Sequence, residues 1–246
     1  MKILNLGCGS KVSSRDEVIN IDWSPLLRIK HNPIVSRLAP LLLDANRLGR
    51  FRALGENIKV HNLSKGIPFP DESVDVVYHS HMLEHLDREV APQFMDEVLR
   101  VLKPGGIQRV VVPDLERLCR EYLLSLELSE NDSMRRARHD GIVEAMLEQS
   151  VRREASGTAR QSPARRSLEN LVLGDARQRG ETHQWMYDRI NLAELLIKAG
   201  FANPRRERYD SSIIAGWNTY YLDMAPDGSE INPGSLYMEA SKPGVL

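Results

Sequence analysis

The chain has 246 residues, which is enough for one sizeable α/β domain and too few to make two full domains the first expectation. Hydrophobic residues make up 41% and charged residues 27%, an ordinary globular composition that excludes a disordered or fibrous protein. The net charge of -1 lacks the basic excess of a nucleic-acid-binding protein, and two cysteines provide neither a disulfide framework nor a zinc spacing. We therefore expect a single domain over residues 1–246 with no nucleic-acid partner.

The amino-terminal residues lead into a strand-like run with no basic-then-apolar signal segment before it. No apolar run approaches the roughly 18 residues that a membrane-spanning helix needs. We expect a cytoplasmic protein without a membrane span, and the sequence leaves its oligomeric state open.

Short apolar runs bounded by turn residues alternate with stretches of helical period, which is the pattern of a parallel sheet with crossover helices. The expected fold is α/β, with a Rossmann-like, seven-stranded, mostly parallel sheet and helices on both faces. The predicted strands are Ile3–Leu6, Val18–Ile21, Ile58–His61, Val74–His79 and Ile107–Val112, with Arg206–Tyr209 and Leu236–Ala240 as candidates to complete the sheet.

Three segments have helical period. Asp87–Leu102 carries apolar residues on one face and is followed by Lys103-Pro104-Gly105-Gly106, which should end it. Asp188–Ala199 is a second such segment, ended by Gly200. The arginine-rich residues 129–180 predict a helical insert after strand five, whose arginines form either a solvated face or a lid that recognises an acidic acceptor.

Gly7-Cys8-Gly9 directly follows the first predicted strand, and glycines there let the backbone approach a ligand closely. Asp22 ends the second strand, where a carboxylate can accept both hydroxyls of a ribose. The third glycine of a dinucleotide fingerprint is replaced by Val12, and only 13 positions (22 − 9) separate Gly9 from Asp22, so the first helix is short or missing. These features favour S-adenosylmethionine, which has no phosphate, over a nicotinamide dinucleotide, although a tight turn without a ligand is the alternative for the glycines alone.

Three further stretches resemble the class I S-adenosylmethionine-dependent methyltransferases, within the methyltransferase type 11 group. They are Gly66–Val77, which contains Ile67-Pro68-Phe69-Pro70-Asp71, then Leu83-Glu84-His85-Leu86, and Glu97–Gly106. The resemblance covers roughly Ile3 to Val112, with weaker matches near His183–Phe201 and Leu236–Ala240.

The resemblance implies S-adenosylmethionine as the cofactor and assigns roles to residues after each strand. Gly7 and Gly9 would lie against its methionine portion and Asp22 would take the ribose, with Cys8 and Trp23 as further cofactor contacts. The other implied contacts are Asn62 and Leu63 beside the adenine and His79 and Ser80 near the sulfonium, with Asn5 in the first strand. Asn5 and Asn62 stand where the family usually has acids, so the charge-assisted share of their hydrogen bonds is lost.

The histidines after strand four leave three interpretations open: catalysis, packing or a metal. His81 and His183 are the candidate general bases, and no second histidine pair or cysteine supports a metal, so we predict none. Strand alternation would aim His79 and His81 to one side. We expect Glu84 to hydrogen-bond backbone and Asp114 to cap the helix after strand five.

The predicted function is methyl transfer from S-adenosylmethionine to a small-molecule or glycan-like acceptor, with a sugar hydroxyl of polysaccharide or natural-product biosynthesis as the first expectation. The association of such sequences with those pathways supplies that guess. A non-catalytic S-adenosylmethionine-binding protein with a regulatory or scaffold role is the alternative, because two of the usual acids are amides here.

Overall fold

A computed structural model describes residues 1–43, 45–55, 57–130, 132–151 and 182–244. Its seven-stranded sheet has the order β3-β2-β1-β4-β5-β7-β6. β7 pairs antiparallel with both β5 and β6, whereas the other pairs are parallel. The predicted Rossmann-like sheet is confirmed. The strands are β1 Ile3–Leu6, β2 Val18–Asp22, β3 Ile58–Val60, β4 Val74–Ser80, β5 Leu102–Pro113, β6 Ala202–Glu207 and β7 Ser235–Ser241.

No helix lies between β1 and β2, where residues 7–17 form turns and coil. The first helix, which the sequence analysis expected to be short or missing, is missing, and three short helices that were not predicted follow β2 instead. The described helices are α1 Pro25–His31, α2 Pro33–Leu42, α3 Ala45–Ala53, α4 Ala91–Val101, α5 Leu115–Ser129, α6 Ser133–Gln149 and α7 Arg189–Lys198. Among the described residues, none of these helices has the length and apolar composition to cross a membrane.

The main core fills one side of the sheet. Leu4, Val77 and Val110 from the central strands pack against α4 and α7 in one buried cluster. A second cluster joins Tyr78 of β4 to Trp217, which belongs to a short 3-10 turn at Trp217–Tyr220. Burying both faces of the central strands in this way fixes their carboxyl ends in space, and these ends carry the candidate site.

The Lys103–Gly106 stretch ends α4 as predicted, but it is also part of β5, which the sequence analysis began only at Ile107. Gly105 N–H donates to Lys242 O at 2.9 Å and Lys242 N–H donates to Gly106 O at 2.8 Å, so this stretch is held beside the chain that follows β7. The left-handed φ of +76° at Gly105 permits that path. Hydrogen bonds to a distant part of the chain thus keep Pro104-Gly105-Gly106 in the sheet, although such a sequence usually ends regular structure.

β6, at the edge of the sheet, begins at Ala202, earlier than the predicted strand Arg206–Tyr209. Its antiparallel pairing with β7 sets the register, with Arg206 opposite Met238 and Glu207 opposite Tyr237. Asp114 caps α5 as expected, because its side chain accepts the N–H of Arg117. Of the predicted insert at 129–180, the structure shows α6, whereas residues 152–181 lie outside the described residues. A lid role for the insert stays a prediction.

Candidate functional site

The glycine loop after β1 adopts the left-handed backbone that its composition predicts. Gly7 has φ +63° and Gly9 has φ +54°. A Cβ on Gly7 would lie 2.6 Å from Cγ of Met82, whereas a Cβ on Gly9 would meet no atom within 4 Å. Position 7 is therefore restricted by packing, and position 9 presents bare backbone to open space.

Asn5 holds this loop in place. Its Nδ2 donates to Lys11 O and to Asn20 Oδ1, both at 2.9 Å, and only 1% of the residue is exposed. Asn20 in turn donates from Nδ2 to Ser13 O and accepts the Ser13 N–H. The amide of Asn5 is thus occupied by the loop, which makes it a positioning residue, and its direct contact with a cofactor stays a prediction.

Asp22 lies at the end of β2, next to the glycine loop. Its Oδ2 is buried and has no hydrogen-bond partner within the described structure. A buried carboxylate oxygen without a donor is costly, and a pair of ribose hydroxyls would satisfy it. Trp23 follows on the surface, where the Arg28 guanidinium lies 4.8 Å from its ring centroid.

Cys8 lies between the two glycines but is 6% exposed. Burial, together with the nearby charge of Asp22, raises the pKa of its thiol to about 12. Further along the sheet edge, Asn62 Oδ1 accepts the Ser64 N–H at 3.0 Å and caps a 3-10 turn at Leu63–Lys65. Leu63 packs partly on the main core, so both predicted adenine neighbours belong to one ordered turn.

The exit of β4 separates two histidines that the sequence analysis placed on one side. His79 is fully buried, and its ring lies edge-on to Phe94 with centroids 5.3 Å apart. Burial lowers the pKa of His79 to about 3, so the ring is neutral. His81 has a left-handed φ of +51°, which breaks the strand alternation and directs it away from that core.

His81 lies between Ser235 and Glu84. Its Nε2 is 2.9 Å from Ser235 Oγ, and its Nδ1 is 3.4 Å from Glu84 Oε1. Partial burial, with Lys11, His183 and His85 nearby, lowers the pKa of His81 to about 4. The imidazole is therefore neutral at pH 7, and the lowered pKa makes it a weaker base than a free histidine.

Glu84 is completely buried, and neither of its carboxylate oxygens hydrogen-bonds another residue. The expected hydrogen bond from the backbone of another residue is not found among the described residues, and only the N–H of Glu84 itself lies near its carboxyl group. Burial raises the pKa of Glu84 to about 8. Its backbone carbonyl does have partners, because it accepts the N–H groups of Gln184 and Trp185 at 2.6 and 3.3 Å.

These two backbone bonds bring His183 to the exit of β4. The rings of His183 and His85 lie 4.9 Å apart at an angle of 73°. His183 Nδ1 is 2.7 Å from Gln149 O, and His85 Nδ1 is 3.2 Å from Thr182 O. Three residues that could together hold a metal ion, Glu84, His85 and His183, thus come together from two distant segments.

The sequence analysis missed three residues of this site. Lys11 Nζ donates to Asn232 Oδ1, and Asn232 Nδ2 donates to Ser80 Oγ at 3.1 Å. Ser235 is the partner of His81. Lys11 lies in the glycine loop and could have been found by position, whereas Asn232, shortly before β7, and Ser235, its first residue, belong to no motif.

Comparison with known proteins finds similarity over part of the chain. Residues 35–110 match the family model described as a methyltransferase domain, Methyltransf_11. A probable S-adenosylmethionine-dependent methyltransferase of Mycolicibacterium smegmatis is 43% identical over 82 residues, which are 33% of this chain and 31% of that protein. The probable methyltransferase ltbC of Aspergillus luteorubrus is 27% identical over 126 residues, 43% of this chain and 37% of that protein. The matched part of the chain therefore spans only about a third of the length of each relative.

A crystal structure of an S-adenosylmethionine-dependent methyltransferase from Methanosarcina mazei aligns with 99% of this chain and 93% of its own, at 20% identity and a TM-score of 0.45. Over residues 35–110 the chain is thus similar to the methyltransferase domain family, and the relatives that it matches are probable methyltransferases, one of them described as S-adenosylmethionine-dependent.

Proposed function

We propose that this protein transfers a methyl group from S-adenosylmethionine to a hydroxyl of a small-molecule or glycan-like acceptor. The observation that carries the proposal is the buried, unpartnered Oδ2 of Asp22 beside the left-handed turn at Gly7 and Gly9. A turn that presents bare backbone and a carboxylate that lacks a donor together suit a nucleoside with an attached amino-acid chain.

The described residues fit this cofactor one by one. Gly9 leaves room for the methionine portion, Asp22 accepts the ribose hydroxyls, and the turn at Asn62 and Leu63 flanks the adenine. When bound, S-adenosylmethionine supplies a methyl group that its positively charged sulfur activates for displacement. The absence of a helix after the glycine loop removes the usual phosphate cradle, which this cofactor does not need.

A cavity of about 560 Å³ supports a small acceptor. Its volume lies in the range typical of small-molecule sites. Ser235 lines this cavity and also contacts His81, so the cavity and the candidate base share a residue. The lining carries both signs of charge, which suits a hydroxyl-rich acceptor, and its charged residues are Arg117, Arg206, Arg208, Asp114, Glu207 and Glu230.

The protein's own part in the reaction is alignment and proton removal. We propose that His81 removes the proton of the acceptor hydroxyl. Its ring is neutral, and its Nε2 lies 2.9 Å from Ser235 Oγ. His183 is the second candidate, although its Nδ1 is bonded to Gln149 O. Positioning provides most of the acceleration in this proposal, because an aligned displacement needs little acid or base assistance.

Binding of S-adenosylhomocysteine tests the cofactor half of the proposal. Asp22→Ala removes the charged acceptor for the ribose hydroxyls, and we expect the affinity to fall by about 10- to 100-fold, the equivalent of one or two charge-assisted hydrogen bonds. Isothermal titration calorimetry measures this change. Glu194→Ala on the exposed face of α7 is the matched control and should bind like the wild type.

Absence of binding by the wild-type protein would contradict the proposal outright. An equal affinity of Asp22→Ala and wild type would contradict the assignment of Asp22. Formation of S-adenosylhomocysteine in the presence of hydroxylated acceptors, compared with the rate without acceptor, tests turnover. Tight binding with no turnover across sugar, polyol and phenol acceptors would favour a non-catalytic binding protein instead.

A further inference from the structure

We propose that Glu84, His85 and His183 bind one divalent transition-metal ion beside the methyl-transfer site. One carboxylate oxygen and one ring nitrogen from each histidine lie within 4.8 Å of one another. Ligands of a tetrahedral zinc ion lie about 3.4 Å apart, given metal–ligand distances of about 2.1 Å. Movements of less than about an ångström per ligand therefore suffice to coordinate a common ion.

The histidines are already oriented as metal ligands usually are. Each places Nδ1 against a backbone carbonyl oxygen, His85 against Thr182 O at 3.2 Å and His183 against Gln149 O at 2.7 Å. A carbonyl oxygen can only accept, so Nδ1 carries the proton and Nε2 keeps its lone pair for coordination. Outer hydrogen bonds of this kind fix the tautomer and the ring direction of metal-binding histidines.

The Glu84 carboxyl group has no hydrogen-bond donor among the described residues. It is fully buried, and neither of its oxygens has a partner there. His81 Nδ1 lies 3.4 Å from Glu84 Oε1, and Lys11 Nζ donates to Asn232 Oδ1. A divalent ion coordinated by Glu84 would give its oxygens the partner that they lack.

Backbone hydrogen bonds hold the two segments of the cluster together. Glu84 O accepts two successive N–H groups, from Gln184 and Trp185, which sets the neighbouring His183 beside the carboxylate. The cluster is therefore held by main chain on both sides, and it does not depend on flexible surface residues. Such support is what a preformed metal site requires.

The donor set indicates the kind of ion. Two imidazoles and one carboxylate suit Zn²⁺, Co²⁺, Mn²⁺ or Fe²⁺, whereas Ca²⁺ and Mg²⁺ prefer sites built of oxygen. Three protein ligands leave at least one coordination position for water or for an oxygen of the acceptor. An acceptor hydroxyl bound there would lose its proton more readily, a role that rests on the proposed function, whereas metal binding itself does not.

Cobalt binding tests this site without reference to activity. The full-length chain, free of any affinity tag and treated with a chelator, is titrated with Co²⁺ while its visible absorption is recorded. We expect one Co²⁺ per chain and displacement of the signal by Zn²⁺. We expect His183→Ala and Glu84→Gln to weaken binding by at least about 10-fold, since even loss of an outer partner of a ligand has an effect of that size.

His31→Ala is the matched control, because His31 also places Nδ1 against a backbone carbonyl, that of Leu27 at 3.1 Å, but lies on α1 outside the cluster. It should bind Co²⁺ like the wild type. Substoichiometric binding by the wild type, or wild-type affinity in His183→Ala, would overturn the proposal. If circular dichroism shows that Glu84→Gln does not fold, the affinity of His183→Ala for Co²⁺ tests the proposal by itself. Calorimetry with S-adenosylhomocysteine in the presence of chelator measures cofactor binding without the metal, so failure of one proposal can be told from failure of the other.

Discussion

Two clusters of ionisable side chains lie against the sheet, and they are built in opposite ways. In the first, the Arg109 guanidinium donates to Asp223 Oδ2 at 2.7 Å and to Glu239 Oε1 at 2.6 Å. In the second, the Glu84 carboxylate lies beside His85 and His183 without a hydrogen bond to another residue. We call these the arginine cluster and the histidine cluster.

The arginine cluster satisfies its charges internally. Tyr78 and Trp217 both donate to Asp223, at 2.7 Å each, and the Ile213 N–H donates to Glu239. The guanidinium also donates to two backbone carbonyls. Because every strong group has a partner, this cluster is explained by the fold alone. The unpaired carboxylate of the histidine cluster has no such explanation, and this difference marks it as a place for a ligand.

Removing the Arg109 guanidinium from the arginine cluster should cause the largest change in stability. Arg109→Met leaves two buried carboxylates without their counter-charge, so we expect the free energy of unfolding to fall by about 3–5 kcal/mol. Denaturation in guanidinium chloride measures this loss. Arg120→Met, which removes an exposed partner of Glu116, is the control and should leave the midpoint nearly unchanged. Equal small effects of both substitutions would show that the arginine cluster is not structurally important.

Binding of a metal ion at the histidine cluster should raise the free energy of unfolding, by an amount smaller than the loss expected for Arg109→Met. Zn²⁺ at about 100 times its dissociation constant should stabilise the wild type by about 2.7 kcal/mol, because the ion binds only the folded chain. For a chain of this size that shift corresponds to about 5–10 °C in Tm. Differential scanning calorimetry with His183→Ala in parallel makes the comparison. An equal rise in both proteins would place the ion elsewhere.

The smallest effect is expected from Glu84→Gln in the metal-free protein. The amide keeps the shape of the side chain and cannot ionise, but it must still be buried without a partner. We therefore expect stability in chelator to stay the same or to rise by about 1 kcal/mol, as measured by urea unfolding. A marked loss would show that the carboxylate has a structural role like that of Glu239.

The sequence predicted the strands and the glycine loop because their signals are local. Apolar runs such as Ile3–Leu6 and the glycines at positions 7 and 9 have the same meaning in any context. The beginning of β5 at Leu102 was not predictable in this way. A Pro-Gly-Gly stretch normally breaks structure, and only its pairing with residues beyond β7 makes it part of the sheet.

The candidate site was less predictable, since its geometry depends on distant partners. The pattern after β4 drew attention to His81, but not to the left-handed backbone that separates it from His79. The cluster of Glu84 with His183 depends on backbone bonds between segments far apart in sequence. Asp22 was assigned from position alone, and its unpaired oxygen adds physical support to that prediction.

The burial of Cys8 has a consequence for a chain whose cofactor is an alkylating agent. A thiolate is a strong nucleophile, whereas a thiol is a weak one, and the nucleophilic form dominates only above the pKa. Because burial raises the pKa of Cys8 to about 12, its side chain is a thiol at pH 7. If S-adenosylmethionine binds against this loop, as proposed, it meets a sulfur atom that resists methylation.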